Sequence, residues 1–164
     1  MKYLVRKAKA IITALIDARS EFADAASLVA NAAATAIFGN VIPLDKTGMN
    51  LGNSMTPIFL VISIDTAVAA AGGAANITFK LLSDVVATLD GAGVTTLLTT
   101  PAIAKGTLVA GYNIVIPLPL SNTDYQTFLG VTWTPDTNNI TAGKANAYLT
   151  VDPPNGWKAY ANAI

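Results

Sequence analysis

The sequence predicts an all-β sandwich or barrel of about eight strands behind an N-terminal arm. From residue 37 onward, short runs of β-branched and apolar residues recur between Gly, Pro, Asn and Asp turn signals. Residues 1–35 are instead rich in Ala and contain neither Gly nor Pro. Polar residues interrupt the apolar spacing there, which predicts one or two short helices. The chain therefore divides into an arm (1–35), a β-domain (36–152) and a C-terminal tail (153–164).

The arm and the tail are predicted to contact partners. The arm has no continuous apolar face to bury on its own, which indicates that a neighbouring subunit orders it. The tail begins with Pro153 and carries two large aromatic residues, which either anchor a neighbour or latch back onto the same domain. A basic N-terminus followed by seven apolar residues, 10–16, resembles a signal peptide but is too short for one. The predicted interface residues are Leu15, Ile16, Phe22, Leu28, Trp157 and Tyr160.

The β-domain contains alternating runs with identifiable inner faces. Leu60, Ile62 and Ile64 share one face of a strand and are predicted to lie in the core. Trp133 is predicted to point inward, and Pro117 and Pro119 place their segment at a sheet edge or at a strand end. Turn-forming residues 136–139 predict that the last two strands are neighbours. The predicted strands are 37–44, 57–65, 74–83, 85–89, 94–99, 107–109, 113–118, 125–134 and 144–151.

Composition argues against catalysis, cofactors and metals. The chain has no His, no Cys and one Glu, Glu21, so the usual general bases, nucleophiles and soft metal ligands are missing. A calcium loop starting at Asp136 lacks the Gly and Glu that such a loop needs at its sixth and twelfth positions, so a polar hairpin turn is predicted. We expect no enzyme activity and no cofactor.

Charge and hydropathy favour a subunit of an assembly. Net charge is zero, so the chain lacks the excess of basic residues that nucleic-acid binding requires. No apolar window approaches the length of a membrane-spanning helix, which is about 18 residues. Hydrophobic residues make up 52% of the chain and charged residues 12%, against about 25% charged in ordinary soluble domains. We therefore expect protein partners to cover much of the surface, and neither nucleic acid nor membrane to be bound.

Five segments resemble the Bbp16-like family of bacteriophage capsid cement proteins. They are LIDARSEFADAASL at 15–28, NVIPL at 40–44, 78–84, 108–118 and TAGKANAYL at 141–149. The resemblance covers about residues 15–152, leaving the first fourteen residues and the tail unmatched. It implies a jelly-roll-like β-sandwich outside an HK97-fold icosahedral shell, reinforcing joints between major capsid protein subunits. It also implies association with its own copies, with dimers favoured and trimers second.

The implied location is the outer surface of the virion capsid, after synthesis in the cytoplasm of the bacterial host. Two other classes of function remain open from the residues. One is a carbohydrate- or receptor-binding β-sandwich module of a virion, because jelly rolls serve both roles. The other is an enzyme using only Asp, Lys and Tyr. Exposed aromatic residues in a concave groove would favour sugar binding, whereas an arm that crosses onto another chain would favour a cement protein.

Overall fold

A computed structural model describes residues 18–44, 51, 57–118 and 125–153. Apart from a 3₁₀ turn at Ala18–Ser20, its named elements are strands. This confirms the predicted all-β class. The strands are β1 (Glu21–Ser27), β2 (Ala36–Pro43), β3 (Phe59–Ala70), β4 (Asn76–Asp84), β5 (Thr95–Thr99), β6 (Ile103–Ala104), β7 (Asn113–Pro117), β8 (Phe128–Pro135) and β9 (Ile140–Thr150).

The strands form two antiparallel sheets that pack as a sandwich. Sheet 1 has the order β1-β9-β3-β7, and sheet 2 has the order β2-β8-β4-β5 with β6 also paired to β4. The chain crosses between the sheets at β1/β2, β2/β3, β3/β4, β6/β7, β7/β8 and β8/β9. With the short β6 set aside, this is the order of a jelly roll, in which two Greek keys fold as a double sheet.

The inner faces of both sheets supply one hydrophobic core. Leu60, Ile62 and Ile64 of β3 are buried in it as predicted, because side chains alternate along a strand. Trp133 of β8 is only 2% exposed, so its predicted inward orientation is also confirmed. Phe38 and Phe79 pack nearby with ring centroids 6.1 Å apart and planes tilted by 59°. This geometry is favourable for aromatic pairs.

The predicted boundary at residue 36 is too late, because β1 already belongs to sheet 1. Phe22 and Leu28 are both 0% exposed and lie in the core. The Leu28 N–H donates to Gly143 O at 3.0 Å, which ties the end of β1 to β9. Their prediction as contacts with a partner subunit is therefore wrong: the apolar residues of this segment fill their own sandwich. Leu15, Ile16, Trp157 and Tyr160 lie outside the described residues.

Three details of the predicted strands differ from the structure. Residues 85–89 and 107–109 are turns rather than strands. The last two strands, β8 and β9, are not neighbours, because residues 136–139 carry the chain from sheet 2 to sheet 1. Asp and Asn favour hairpins and inter-sheet crossings alike, so local turn chemistry does not choose between them. The placement of 113–118 at an edge is confirmed, since β7 is the outer strand of sheet 1.

One side of the sandwich closes where β1 and β2 meet. Gly39 of β2 has a φ of +77°, a region that residues with a side chain rarely adopt. A Cβ at this position would overlap the carbonyl oxygen of Phe22 and lie 2.9 Å from Ala23 Cβ. Glycine therefore permits the two backbones to touch. The opposite side of the sandwich carries the outer strands β5 and β7.

Candidate functional site

The connection between β4 and β5 exposes three apolar side chains. Val85, Val86 and Val94 are 59%, 40% and 40% exposed. We call residues 85–94 the valine loop. Isolated exposed valines are ordinary on protein surfaces, but three on one short loop are an unusual concentration of exposed apolar side chains, which is typical of a contact surface.

A buried carboxylate anchors the valine loop. Asp84, the last residue of β4, is fully buried. Its Oδ1 accepts a hydrogen bond from the Val85 N–H at 2.7 Å, and its Oδ2 accepts one from the Gly91 N–H at 2.8 Å. A Cβ at Gly91 would lie 2.8 Å from Asp84 Oδ1, so glycine permits this close approach. The two bonds hold together parts of the loop that are six residues apart.

Leu89 fastens the loop to the outer face of sheet 2. Leu89 is buried and has a φ of +54°, which costs a branched residue about 1–2 kcal/mol. Its side chain lies over Gly130 of β8, where a Cβ would overlap Leu89 Cδ1 and approach Val41 Cγ2 to 3.3 Å. The glycine in β8 thus forms the seat for Leu89, and this burial offsets the backbone strain.

Gln126, just before β8, holds the second half of the loop. Its Nε2 donates to Gly93 O at 2.7 Å and to Thr95 Oγ1 at 3.1 Å. Its own N–H donates to Ser83 Oγ at 2.7 Å. With Asp84 and Leu89, these bonds fix the loop before any partner arrives. A surface ordered in advance loses less conformational entropy on binding.

Strand β5 extends the same surface along the edge of sheet 2. Its sequence, TTLLT, contains no charged residue and no proline. Edge strands that lack such protection are suited to contact with another chain. The valine loop and β5 together form an uncharged rim, apart from Asp90, whose carboxylate accepts a hydrogen bond from the Thr88 hydroxyl. This rim is suited to protein contact rather than to chemistry.

The described residues contain no group of three or more His, Cys, Asp or Glu that could hold a metal ion. Asp136, the start of the calcium-loop alternative, is engaged in turn hydrogen bonds. The backbone N–H groups of Asn76 and Thr137 donate to its Oδ1 at 2.9 and 2.5 Å. These bonds, the one from Asn76 first, lower the pKa of Asp136 to about 2. Its place in a polar turn was predicted, but the turn carries the chain from sheet 2 to sheet 1 and is not the predicted hairpin.

A shallow groove of about 490 Å³ lies between the segment after β1 and the start of β9. None of the described residues that line it is aromatic, and Asn139 Oδ1 already accepts a hydrogen bond from the Ala32 N–H. Sugar-binding sites commonly use aromatic stacking, so this groove does not favour the carbohydrate-binding alternative. The residues lining it are Val29, Ala30, Asn31, Asn139, Ile140 and Thr141.

Comparison with known protein families selects the same part of the chain as the β-sandwich. The family model Bbp16 matches residues 22–149, which is most of the chain. The chain belongs to the Bbp16 family. The match begins at the first core residue of β1 and ends one residue before β9 does, so the Bbp16 region is the sandwich itself. Membership of the Bbp16 family is consistent with a phage structural protein. A search of curated proteins found no significant match.

In the described part of this Bbp16 chain, no helix is long and apolar enough to cross a bilayer.

The valine loop was missed by the sequence analysis, because adjacent valines before a turn signal indicate a strand. The available signal was Asp84 followed by Asp90-Gly91, since a carboxylate beside a turn can bond backbone N–H groups across it.

Replacing Asp84 by alanine is expected to loosen the valine loop. The N–H groups of Val85 and Gly91 would lose their acceptor, and hydrogen bonds to charged groups are worth about 1.5–3 kcal/mol. Hydrogen exchange of amides 85–93 should become faster. Asp65→Ala is the matched control, because Asp65 is exposed and, among the described residues, accepts a hydrogen bond only from Thr66 Oγ1. Equal exchange rates in the two variants would contradict the anchoring role.

Proposed function

We propose that this chain is a cement or decoration protein, a structural virion protein that binds the exterior of an HK97-fold bacteriophage capsid. In this role it stabilises contacts between subunits of the major capsid protein, on the outer surface of the virion. It associates with its own copies, as dimers in preference to trimers, and binds neither nucleic acid nor membrane. It is not an enzyme. Membership of the Bbp16 family supports the virion role, and the resemblance found in the sequence supports the cement role.

The observation that carries the mechanism is the ordered valine loop. Full burial of one valine side chain contributes about 1.5–3 kcal/mol, so three valines supply a useful contact without any charge. Weak contacts suffice on a shell, because neighbouring copies that also touch each other bind with increased effective concentration. A protein that binds only the assembled state stabilises it by mass action.

Replacing the three exposed valines by serine tests this proposal. The variant V85S/V86S/V94S should bind capsids stripped of this protein at least tenfold more weakly, because serine loses the apolar burial. Its own thermal melting should change little, since these side chains are exposed. The matched control is V29S/V109S, which replaces two exposed valines elsewhere on the surface. Co-sedimentation with capsids measures binding, and equal binding of both variants to wild type would rule out the valine loop as the contact.

Capsid stability and salt dependence test the cement role itself. Stripped capsids should disrupt at a lower temperature than complete ones, and adding the protein back should restore stability. Binding should change little between low and high salt, because the rim carries few charges to screen. Identical disruption temperatures with and without the protein would exclude cementing.

A further inference from the structure

The backbone of β4 alternates regularly between its two neighbours in sheet 2. Its pairing with β8 has no irregularity from residue 77 to residue 84. On the other side, Phe79 O accepts a hydrogen bond at 2.9 Å from the N–H of Thr100, the residue directly after β5. In an antiparallel ladder, neighbouring residues of a strand direct their N–H and C=O groups to opposite sides. Lys80 and Leu82 therefore direct theirs towards β8 and away from β5.

Two residues of β5 face these positions and have free backbone groups at the open edge of sheet 2. Thr99 pairs with Lys80, and Thr96 pairs with Leu82. The two residues of such a non-hydrogen-bonded pair point their backbone groups away from each other, so the N–H and C=O of both threonines point towards the open edge. Both residues are exposed, and among the described residues neither makes a backbone hydrogen bond outside its strand pairing.

An irregularity in β5 brings both threonines to the same edge. The register with β4 shifts between Leu98 and Thr96, which leaves Leu97 as an extra residue. In a regular strand, residues three positions apart direct their backbone groups to opposite sides, whereas one extra residue restores the same direction. The two threonines therefore offer donors and acceptors together. Leu97 and Leu98 lie between them, half-buried and packed against the core.

The sequence of this edge complements itself in an antiparallel pair. Residues 96–99 read TLLT in both directions. When two copies of β5 pair about a two-fold axis between Leu97 and Leu98, Thr96 of one copy lies opposite Thr99 of the other. Both residues have free backbone groups, so each such pair can exchange both N–H to C=O hydrogen bonds. An interface of this kind joins the same patch on both subunits, which a two-fold dimer requires.

The charges around β5 allow identical strands to meet. No charged residue lies between Asp90 and Lys105 in the sequence. Lys80, the partner of Thr99, is one strand further in, and across the axis its row of side chains ends at Leu82 of the second copy. The two copies of Lys80 therefore lie in different rows, and like charges do not oppose each other.

The other outer strands are less suited to pair with themselves. β1 and β2 contact each other across the closed side of the sandwich, and β1 carries Glu21 and Asp24. β7 ends in Pro117, which has no N–H, and self-pairing centred on Val115 would set this proline opposite Asn113. The β5 edge is therefore the favoured one.

We infer that β5 pairs with β5 of a second copy of this chain, antiparallel and about a two-fold axis between Leu97 and Leu98. The pairing joins two copies of sheet 2 into one continuous sheet and covers the half-buried leucines. This contact rests on the self-association in the proposed function, and it names the surface and the register. One short strand from each copy buries less area than a stable dimer needs, so association is weak in solution and stronger on a shell that holds copies close together.

Disulfide capture with the full-length chain tests the register, because the protein has no Cys and each introduced thiol is unique. T96C mixed with T99C, one of them carrying a size tag, should give at least tenfold more disulfide-linked heterodimer than either homodimer. Opposed residues have Cα atoms about 5.5 Å apart, which a disulfide spans, whereas residue 96 and its own copy would be about 11 Å apart. The matched control is T66C mixed with T141C, two exposed threonines of sheet 1, which should show no such preference. Equal amounts of heterodimer and homodimer, or no disulfide because the bulge twists the edge away, would overturn the inference.

Charge variants test the same contact without covalent capture. T96E/T99E sets acidic side chains opposite each other across the axis and should weaken self-association at least tenfold in sedimentation equilibrium. T96K/T99E is the matched control, because it differs only at position 96, pairs opposite charges across the axis and should associate at least as tightly as wild type. In both variants the acidic side chain introduced at position 99 faces Lys80 of its own chain. Equal association of the two variants, or a wild type that stays monomeric up to about 1 mM, would contradict the pairing.

Capsid binding separates this contact from the proposed function. If T96E/T99E no longer binds stripped capsids while its self-association is unchanged, a strand of the capsid protein occupies the β5 edge and the inference is wrong. If V85S/V86S/V94S binds capsids as wild type does and T96C still forms a disulfide with T99C, the valine-loop contact is wrong and the pairing of β5 stands.

Discussion

Replacement of Trp133 by alanine is expected to lower the free energy of unfolding by about 3–5 kcal/mol, the cost of truncating a large aromatic residue in a packed core. Trp133 faces inward from β8, between Ala36 of β2 and Phe79 of β4. Neighbouring strands fix its surroundings on both sides, so the cavity cannot collapse easily. Urea unfolding of the purified protein measures the effect.

The comparison variant is W157A, which should leave the domain folded. Trp157 follows the end of β9 at Thr150 and the end of the Bbp16 match at residue 149, so its loss is expected to leave the described core intact. If W157A unfolds the isolated protein while W133A melts normally, the assignment of core and tail is reversed.

Replacement of Gly39 by alanine is expected to be the second most damaging change, with a loss of about 2–5 kcal/mol. The positive φ costs a residue with a side chain about 1–2 kcal/mol. Overlap of the new methyl group with the Phe22 carbonyl forces β1 and β2 apart, at about 1–3 kcal/mol for an overpacked site. Thermal melting monitored by circular dichroism gives the difference in stability.

Gly93→Ala provides the control for this substitution. A Cβ at Gly93 would have no contacting heavy atom within 4 Å, and the φ of Gly93 is not in the left-handed region. Its melting temperature should stay close to that of wild type. Equal loss in both variants would show that the contact between β1 and β2 has no special role in closing the sandwich.

Strand positions and inward faces were predictable where alternation is strong. Leu60, Ile62 and Ile64 repeat with period two, and a strand places such residues on one face. Trp133 follows the same rule. Pro117 indicated an edge strand or a strand end because proline cannot donate to a ladder, and the structure shows the edge strand. These features depend on short segments, so the sequence alone was sufficient to predict them.

The errors concern features that distant residues decide. Phe22 and Leu28 belong to a segment whose Ala content favours helix, yet pairing with β9, more than a hundred residues later, makes it a strand. The valine loop depends on Gly130 as a seat for Leu89 and on Gln126 as a donor, and both lie over thirty residues away in the sequence. Local propensity is a weak prior when tertiary contacts of this kind compete with it.

The position of β9 between β1 and β3 has a consequence for biosynthesis. Among the described strands, β9 leaves the ribosome last and completes the middle of sheet 1, so β1 and β3 each keep an unpaired edge until it is made. Pairing of β9 with β1, more than a hundred residues earlier, raises the contact order, and such topologies fold slowly. Unpaired strand edges can pair with edges of other nascent chains, which promotes aggregation. A chain that stops before residue 140 therefore lacks β9, the strand between β1 and β3, and sheet 1 has a gap at its centre.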